Sequence, residues 1–339
     1  MTRALFLALL ALVPWLMACD RGAGGGTGAE PGAGGTDKRL RIAVIPKGTT
    51  HEFWKAVHAG AVKAGKELDV DVVWKGPLKE DDLKQQIDLV QSFTAQRVDG
   101  IVLAPLNDKA LVKAVKDATR SKISVVVIDS ALKGDHHVSF VATDNRAAGK
   151  LAGQRMAKLL AGKGKVVVLR YQVGSASTAN REQGFLDAMG EHTGIEVVSD
   201  NQHGGATTES AFTASESLLI AKQAAKGGVD GVFCPNESTT FGMLLAVDKL
   251  GLAGKLQLVG FDASDKLIKA LKDKRMAALV LQDPFTMGYL GVKTMVTHRR
   301  GKPVEKVIDT GSQLVDFDNM GKPEIQRLLE PDLKKWLGE

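Results

Sequence analysis

The sequence has little cysteine and little concentrated charge. Its 339 residues include two cysteines and two tyrosines. Cys234 lies in an apolar run typical of a strand, so a buried and unreactive thiol is expected there. The formal net charge is +6, but basic and acidic residues alternate and no run of five like charges occurs. Nucleic-acid-binding proteins usually carry a concentrated basic stripe, so the pattern indicates a solvated mixed surface and no nucleic-acid partner.

Motifs for catalysis and metal binding are also missing. Residues 173–177 (VGSAS) imitate a Gly-x-Ser-x-Gly elbow only in part. His136 and His137 adjoin each other in a predicted loop, which is not the spacing of zinc ligands on a helix. Residues 22–35 are rich in glycine, but a phosphate-binding loop requires a preceding strand and a following helix. We therefore expect no enzyme, no metal and no cofactor.

The apolar run near the N-terminus, residues 4–13, is too short to cross a bilayer, which takes roughly 20 residues. Arg3 precedes this run and a small residue, Ala18, follows it, so residues 1–18 are predicted to be a secretory signal. The alternative is a buried N-terminal helix, but the glycine-rich stretch that follows offers nothing for it to pack against. Residues 19–38 are predicted to be a flexible tether.

Residues 16–19 (LMAC) resemble the lipobox of bacterial lipoproteins. The resemblance implies that lipid is attached to Cys19 and that the chain is cleaved before it. Several acyl chains together anchor a protein stably to a membrane. The mature net charge would be +5, because Arg3 is the only charge before Cys19. We expect an exported protein, lipid-anchored at the periplasmic or cell-surface face of a membrane.

The remaining residues, about 300 from Lys38 onward, alternate between strand-like and helical patterns and are enough for two domains. Residues 40–46 (LRIAVIP) form a continuous apolar run, as expected of a parallel strand covered on both faces. The first series of strands is predicted at 40–46, 70–74, 99–105, 124–129 and 140–142, and the second at 165–171, 195–199, 229–234, 256–261 and 276–281. Helical spacing between them predicts an α/β fold with two parallel sheets.

Directed polar side chains and two aromatics follow the predicted strands, where parallel sheets usually bind ligands. The candidate ligand-binding residues are His51, Phe53, Trp54, Asp129, Arg181, Asn236, Asp262 and Gln282. Carboxylates accept hydrogen bonds from sugar hydroxyls, arginine donates and amides do both. Aromatic rings pack against the C–H faces of a sugar. The set favours an uncharged polyhydroxylated ligand.

Each candidate also has a structural interpretation. An Asp at a strand end is often a cap or turn residue, and Asn236 could cap the following helix. Phe53 and Trp54 could begin the core face of the first helix. Adjacent helical residues point about 100° apart, so at least one of the two is expected to face the cleft.

Eight segments in fixed order resemble a known family: AVIPKGTTHEFW, DGIVLAPLND, VVVIDS, VATDNRAAGKLAG, REQGF, VFCPNES, LVGFDAS and LVLQDPFTMGYLG. Residues 39–315 resemble the periplasmic sugar-binding proteins of ribose-binding type, the type I receptors of ABC importers. The resemblance implies two Rossmann-like lobes joined by three hinge crossovers. The N-terminal lobe would comprise residues 39–143 and 283–311, and the C-terminal lobe 144–282 and 312–339 with a helical tail.

Carried over position by position, the family's aromatic pair falls on Phe53 and Trp54, its ring-hydroxyl acceptor on Asp129 and its donor on Arg181. The polar set of the far lobe falls on Asn236, Asp262 and Gln282. This chain departs from the family at His51 and Ala104, where the family has Asn, and at Ser130, where it has Arg. The nearest candidate for a third aromatic is Phe212. The departures surround one side of the site, so the resemblance implies a sugar or polyol rather than ribose itself.

The resemblance implies a monomer that captures its ligand between closing lobes and delivers it to a membrane permease. One alternative stays open: a receptor subunit that presents the ligand to a chemoreceptor or sensor kinase. A transcription regulator of the lac-repressor type would carry a helix-turn-helix before the first strand, and here the signal and tether occupy that place.

Overall fold

The computed structural model describes residues 39–338, so the predicted signal, tether and lipidated Cys19 lie outside the described residues. The strands are β1 (Arg41–Ile45), β2 (Asp71–Trp74), β3 (Gly100–Leu103), β4 (Ser124–Ile128), β5 (Ser139–Ala142), β6 (Gly164–Arg170), β7 (Ile195–His203), β8 (Gly231–Phe233), β9 (Gln257–Phe261), β10 (Ala278–Gln282), β11 (Val307–Asp309) and β12 (Ser312–Val315). The helices are α1 (Glu52–Leu68), α2 (Leu83–Ala95), α3 (Val112–Arg120), α4 (Asn145–Leu159), α5 (Ala176–Gly190), α6 (Thr208–Ala221), α7 (Glu237–Lys249), α8 (Asp265–Lys272), α9 (Pro284–Arg299), α10 (Pro323–Leu329) and α11 (Lys334–Leu337).

The strands of the described chain form two sheets with the same winding. The first sheet has the order β11-β5-β4-β3-β1-β2, and the second has the order β12-β10-β9-β8-β6-β7. Neighbouring strands run parallel, except that β12 pairs antiparallel with β10. The predicted α/β fold with two parallel sheets is confirmed. Strands β11 and β12, one at the edge of each sheet, were not predicted.

The chain passes between the two lobes three times, once after β5, once after β10 and once between β11 and β12. The third passage is fixed by hydrogen bonds at the hinge: Thr143 Oγ1 donates to the carbonyl oxygen of Gly311 at 3.1 Å. Helix α9 follows the second passage and returns to the first lobe, where it packs against α1, β3 and β4. The expected three hinge crossovers are therefore present.

In each lobe, one helix pair packs with its backbones in close contact. A Cβ atom added at Gly60 of α1 would lie 1.9 Å from the carbonyl oxygen of Phe285 in α9. A Cβ atom added at Gly149 of α4 would lie 2.0 Å from the carbonyl oxygen of Arg181 in α5. Only glycine allows so close an approach. The close packing of α1 on α9 and of α5 on α4 sets the positions of α1 and α5, the two helices that begin at the cleft.

The C-terminal segment contacts both lobes. In α10, Ile325 and Leu329 are buried in the core of the second lobe. Helix α11 packs against α1 of the first lobe, and the ring centroid of Trp336 lies 6.5 Å from that of Phe285. Between residues 39 and 338, no helix combines the length and apolar content needed to cross a membrane.

Candidate functional site

The eight predicted ligand-binding residues come together in one cleft between the two sheets. They lie at or beyond the carboxyl ends of strands in both lobes, and the strand order reverses between β1 and β3 in one sheet and between β6 and β8 in the other. Such switch points are where parallel α/β sheets form their crevices. The residues that border the cleft are Lys47, His51, Phe53, Trp54, Glu80, Asp129, Tyr171, Ser177, Thr178, Arg181, Asn236, Glu237, Asp262 and Gln282.

The aromatic wall of the cleft is the first turn of α1. Phe53 and Trp54 are 8% and 2% exposed, and their rings meet edge to face with centroids 4.9 Å apart. Both border the cleft and both also pack into the core of the first lobe. The core interpretation and the cleft interpretation of this pair therefore both apply. The indole N–H of Trp54 donates to Glu80 Oε1 at 2.5 Å, which fixes the orientation of the ring.

A buried ion pair lies at the end of β1 and β4. Lys47 Nζ is 2.7 Å from Asp129 Oδ2, and both side chains are almost fully buried. The Lys47 ammonium therefore neutralises the Asp129 carboxylate beside the cleft. Lys47 Nζ also donates to Ser177 Oγ of the second lobe at 3.0 Å. The lysine thus connects the carboxylate of one lobe with a hydroxyl of the other.

Arg181 is the buried cation of the second lobe. Its Nε donates to Asn145 Oδ1 at 2.6 Å and its Nη1 to the carbonyl oxygen of Pro235 at 2.9 Å. The guanidinium lies 4.5 Å from the ring centroid of Phe261, in cation–π geometry. Its Nη2 has no hydrogen-bond partner among residues 39–338. Arg181 is therefore held rigidly and keeps one donor group for another molecule.

Asp262 and Gln282 complete the second lobe's side. Gln282 Nε2 donates to Asp262 Oδ1 at 2.7 Å, and Gln282 Oε1 has no partner within the described residues. Burial raises the pKa of Asp262, although the nearby Arg181 and Gln282 act in the opposite direction. Asn236 borders the cleft and also caps α7, since its side-chain oxygen accepts from the backbone N–H of Thr239 at 3.4 Å. The predicted capping role of Asn236 is therefore present.

Two aspartates occupy equivalent places in the two lobes. Asp129 follows β4 and Asp262 follows β9, the fourth strand of each series. Their φ angles are 62° and 65°, in the left-handed region that non-glycine residues rarely adopt. Aspartate tolerates this region better than most residues, so the two turns place equivalent carboxylates beside the cleft.

His51 and Glu80 form the second charged pair of the first lobe. His51 Nδ1 lies 2.8 Å from Glu80 Oε1. Burial alone would lower the pKa of His51, but Glu80 raises it to about 9. Burial alone would raise the pKa of Glu80, but His51, Lys47 and the hydroxyl of Tyr171 lower it to about 2. Both groups are therefore charged at neutral pH.

Glu237 of the second lobe forms hydrogen bonds with the first lobe. Its carboxylate, at the start of α7, accepts from the backbone N–H groups of Glu52 at 3.4 Å and Phe53 at 3.2 Å. Since the N-cap residue His51 makes no side-chain cap, Glu237 satisfies the N-terminus of α1 from the other lobe. Burial raises the pKa of Glu237 to about 7, against the effect of His51 and these N–H groups.

Several cleft residues were not among the predicted ligand-binding set, above all Lys47, Glu80, Tyr171 and Glu237. Lys47 and Glu237 directly follow strands, as the predicted residues do. Glu80 lies in the loop after β2, a strand end whose following residues were not considered. Phe212, the candidate third aromatic, packs instead against the core of the second lobe beneath Lys249 and does not border the cleft.

Comparison with known proteins identifies the family. A profile described as periplasmic binding protein domain matches residues 42–303. The chain belongs to the periplasmic binding protein family. It is similar to the D-ribose/D-allose-binding protein of Pseudomonas aeruginosa, with 30% identity over 292 residues, 83% of this chain and 90% of the relative. The predicted resemblance and the prediction of a solute-binding protein are confirmed.

Two solved structures extend the similarity. A carbohydrate transporter solute-binding protein from Agrobacterium radiobacter, in complex with D-arabinose, has a TM-score of 0.82 and 34% identity and covers 87% of this chain and 100% of its own. An ABC transporter solute-binding protein from Agrobacterium vitis, with bound D-fucose, has a TM-score of 0.81 and 35% identity and covers 86% and 100%. This family of binding proteins serves ABC permeases and acts in the periplasm.

Proposed function

We propose that this chain captures a small, uncharged sugar or polyol in the cleft and delivers it to the permease of an ABC importer. The observation that supports this most directly is a set of buried polar atoms that border the cleft. Arg181 Nη2 and Gln282 Oε1 have no hydrogen-bond partner among the described residues. A buried unpaired polar group costs about 1–3 kcal/mol, so a ligand that pairs with both gains accordingly.

The charges that border the cleft support an uncharged ligand. Opposite charges are close together in three places: Lys47 with Asp129, His51 with Glu80, and Arg181 with Asp262 at 4.0 Å. A charged ligand would need a further buried partner, because an uncompensated buried charge is strongly unfavourable. Hydroxyl groups, which donate and accept, fit one free donor and one free acceptor.

The ligands of the relatives support a pentose or hexose. The Pseudomonas relative is a D-ribose/D-allose-binding protein, and the two solved structures contain D-arabinose and D-fucose. This chain keeps an aromatic pair and the buried arginine beside the cleft. Ala104 and Ser130 stand where proteins of ribose-binding type have Asn and Arg. We therefore propose the sugar class and not ribose.

Binding is proposed to operate by closure of the two lobes in a monomer. The lobes would span residues 39–143 with 283–311 and residues 144–282 with 312–339. A ligand that bridges Asp129 of one lobe and Arg181 of the other gains both contacts only when the lobes close. The ligand then shifts the population toward the closed form, which the permease would recognise.

The function is tested by substitution of Arg181 after a ligand has been found. A thermal-shift screen over pentoses, hexoses, deoxysugars and polyols should give at least one ligand that raises the melting temperature. In calorimetry with that ligand, Arg181→Gln should weaken binding about 10- to 100-fold, since a hydrogen bond to a charged group contributes about 1.5–3 kcal/mol.

The matched control is Arg155→Gln, which removes a partly buried arginine that pairs with Asp316 at 3.1 Å outside the cleft. Arg155→Gln should leave the affinity unchanged. A screen without any stabilising sugar or polyol, or equal affinities of the two arginine variants, would contradict the proposed function.

The lipid anchor is proposed separately, on the similarity of residues 16–19 to a lipobox. Cys19→Ser should move the protein from the membrane fraction to the soluble fraction, or leave it uncleaved. Cys234→Ala removes the other cysteine, which is buried, and should stay with the membrane. Membrane fractionation and the mass of both variants decide the point, and a Cys19→Ser protein that is cleaved and still stays with the membrane excludes lipidation.

A further inference from the structure

Glu80 receives hydrogen bonds from both lobes. It lies in the loop between β2 and α2 of the first lobe and is 6% exposed. Within its own lobe, it accepts from the indole of Trp54 at 2.5 Å and lies 2.8 Å from His51 Nδ1. From the second lobe, the hydroxyl of Tyr171 donates to Glu80 Oε2 at 2.5 Å. The side chain amide of Gln172 donates to the carbonyl oxygen of Glu80 at 2.9 Å.

The bond between Tyr171 and Glu80 joins a neutral phenol to a charged carboxylate. His51, Lys47 and the tyrosine hydroxyl keep the pKa of Glu80 far below neutral despite its burial. Burial and the adjacent carboxylate raise the pKa of Tyr171 well above its usual value, so the phenol keeps its proton. Hydrogen bonds to charged acceptors are roughly twice as strong as neutral ones. The contact is therefore a strong bond across the cleft.

Opening of the lobes would affect the partners of Glu80 differently. Trp54 and His51 belong to the same lobe as Glu80 and stay with it when the lobes separate. Tyr171 follows β6 of the second lobe, so its bond to Glu80 exists only while the lobes are closed. The carboxylate therefore keeps two partners in the open form, and the tyrosine bond adds to the stability of the closed form.

We propose that Glu80 is a positioning residue that couples lobe closure to the aromatic wall of the cleft. It fixes the aromatic wall through Trp54 and His51, and through Tyr171 it stabilises the closed form of the ligand-free protein. The effect on ligand affinity rests on the proposed function. The effect on closure does not, because the bond joins two groups of the protein.

The chain contains a matched control for this bond. Its second tyrosine, Tyr289, also donates to a glutamate, Glu67, at 2.8 Å, but both residues lie on the packed helices α9 and α1 of the first lobe. Tyr171→Phe and Tyr289→Phe each remove one hydroxyl that donates to a carboxylate. Only the first hydroxyl bridges the cleft.

The test measures closure without ligand and affinity with it. Small-angle scattering of the ligand-free protein should show that Tyr171→Phe shifts the equilibrium toward the open form by about tenfold, while Tyr289→Phe leaves it unchanged. Calorimetry should show that Tyr171→Phe weakens every bound sugar by about the same factor and keeps their ranking. Glu80→Gln should also move the indole N–H resonance of Trp54, which Tyr171→Phe should move less.

Two results would overturn the proposal. The first is a ligand-free Tyr171→Phe protein with the same scattering profile and the same affinities as the unmodified chain. The second is a changed ranking among sugars, which would make Tyr171 a direct ligand contact. If no sugar binds to any variant but Tyr171→Phe still opens the ligand-free protein, the proposed function fails and this inference stands.

Discussion

The two lobes share one strand order but satisfy their cleft side chains in different ways. In the first lobe, the buried Lys47 pairs directly with the buried Asp129 at 2.7 Å. In the second lobe, Arg181 is held by uncharged groups, the side-chain oxygen of Asn145 and the carbonyl oxygen of Pro235. The nearest carboxylate, on Asp262, lies 4.0 Å away. Lobes with the same strand order thus carry a buried ion pair in the first lobe and, in the second, an arginine held by uncharged groups.

This difference separates two tasks of a binding cleft. The ion pairs of the first lobe neutralise each other and hold the aromatic wall in place. In the second lobe, neutral partners hold Arg181 and the Asp262 carboxylate holds Gln282, and each of the two held side chains keeps one group unpaired within the described residues. Unpaired buried groups discriminate strongly between ligands that can and cannot pair with them. We therefore expect the second lobe to contribute more to ligand selectivity.

The largest expected effects come from the glycines that set the helix pairs of the two lobes. Gly60→Ala and Gly149→Ala each place a Cβ atom about 2 Å from a carbonyl oxygen of the facing helix, and backbone cannot yield as a side chain does. Each should lower the free energy of unfolding by about 4 kcal/mol in urea denaturation. Both should also weaken ligand binding in the folded fraction, because α1 carries the aromatic wall and the carbonyl displaced by Gly149→Ala belongs to Arg181.

Gly190→Ala is the control for this pair of variants. Gly190 is the last residue of α5, and a Cβ atom there meets no heavy atom within 4 Å. The free energy of unfolding of Gly190→Ala should stay the same or rise slightly, since a helix favours alanine over glycine by roughly 0.5–1 kcal/mol. Equal stabilities of Gly149→Ala and Gly190→Ala would mean that the close helix contact does not fix α5.

A second prediction compares the charged groups of the two lobes. Lys47→Met leaves the buried Asp129 without its cation and should cost about 3 kcal/mol of unfolding free energy, as should Asp129→Asn. The double variant should lose clearly less unfolding free energy than the two single variants lose together, because it leaves no buried charge of the pair. Arg181→Gln should cost less than either single variant, because Asp262 keeps a hydrogen bond from Gln282. Additive losses in the double variant would contradict the pairing.

Much of this architecture is readable from the sequence, for physical reasons. A strand covered on both faces must be apolar where it is buried, so runs such as residues 42–45 stand out without any alignment. Residues that directly follow such a strand must lie at its carboxyl end. Asp129 and Asp262 could therefore be assigned to one edge of their sheets before any coordinates were known.

The missed features depend on contacts that local patterns do not carry. Strand β11 lies at a sheet edge with Val307 and Asp309 exposed, so it lacks an apolar run. Glu80 and Tyr171 are 91 positions apart in the chain, and each is unremarkable in its own loop. Their bond arises only because the hinges bring two sheets face to face.

The smallest expected effect is a pH dependence that belongs to the first lobe. The pKa of His51 is raised to about 9 by Glu80, so the pair contributes stability that is fully present below pH 6.5 and is lost as the pH rises toward 9. Glu237, with its pKa raised to about 7, has lost most of its own contribution by pH 7. Urea denaturation at pH 7 and pH 9 therefore isolates His51, and the free energy of unfolding should fall by about 2 kcal/mol.

Two variants distinguish the lobes in this experiment. His51→Gln should remove most of the loss between pH 7 and pH 9, because the glutamine side chain does not titrate. Arg181→Gln should keep the loss in full, since arginine stays charged over this range and the His51 pair lies in the other lobe. If His51→Gln loses as much stability as the unmodified chain, the pH dependence has another source and the His51–Glu80 pair adds little to the first lobe. If Arg181→Gln abolishes it, the two lobes are coupled electrostatically, and the separation of their tasks would have to be given up.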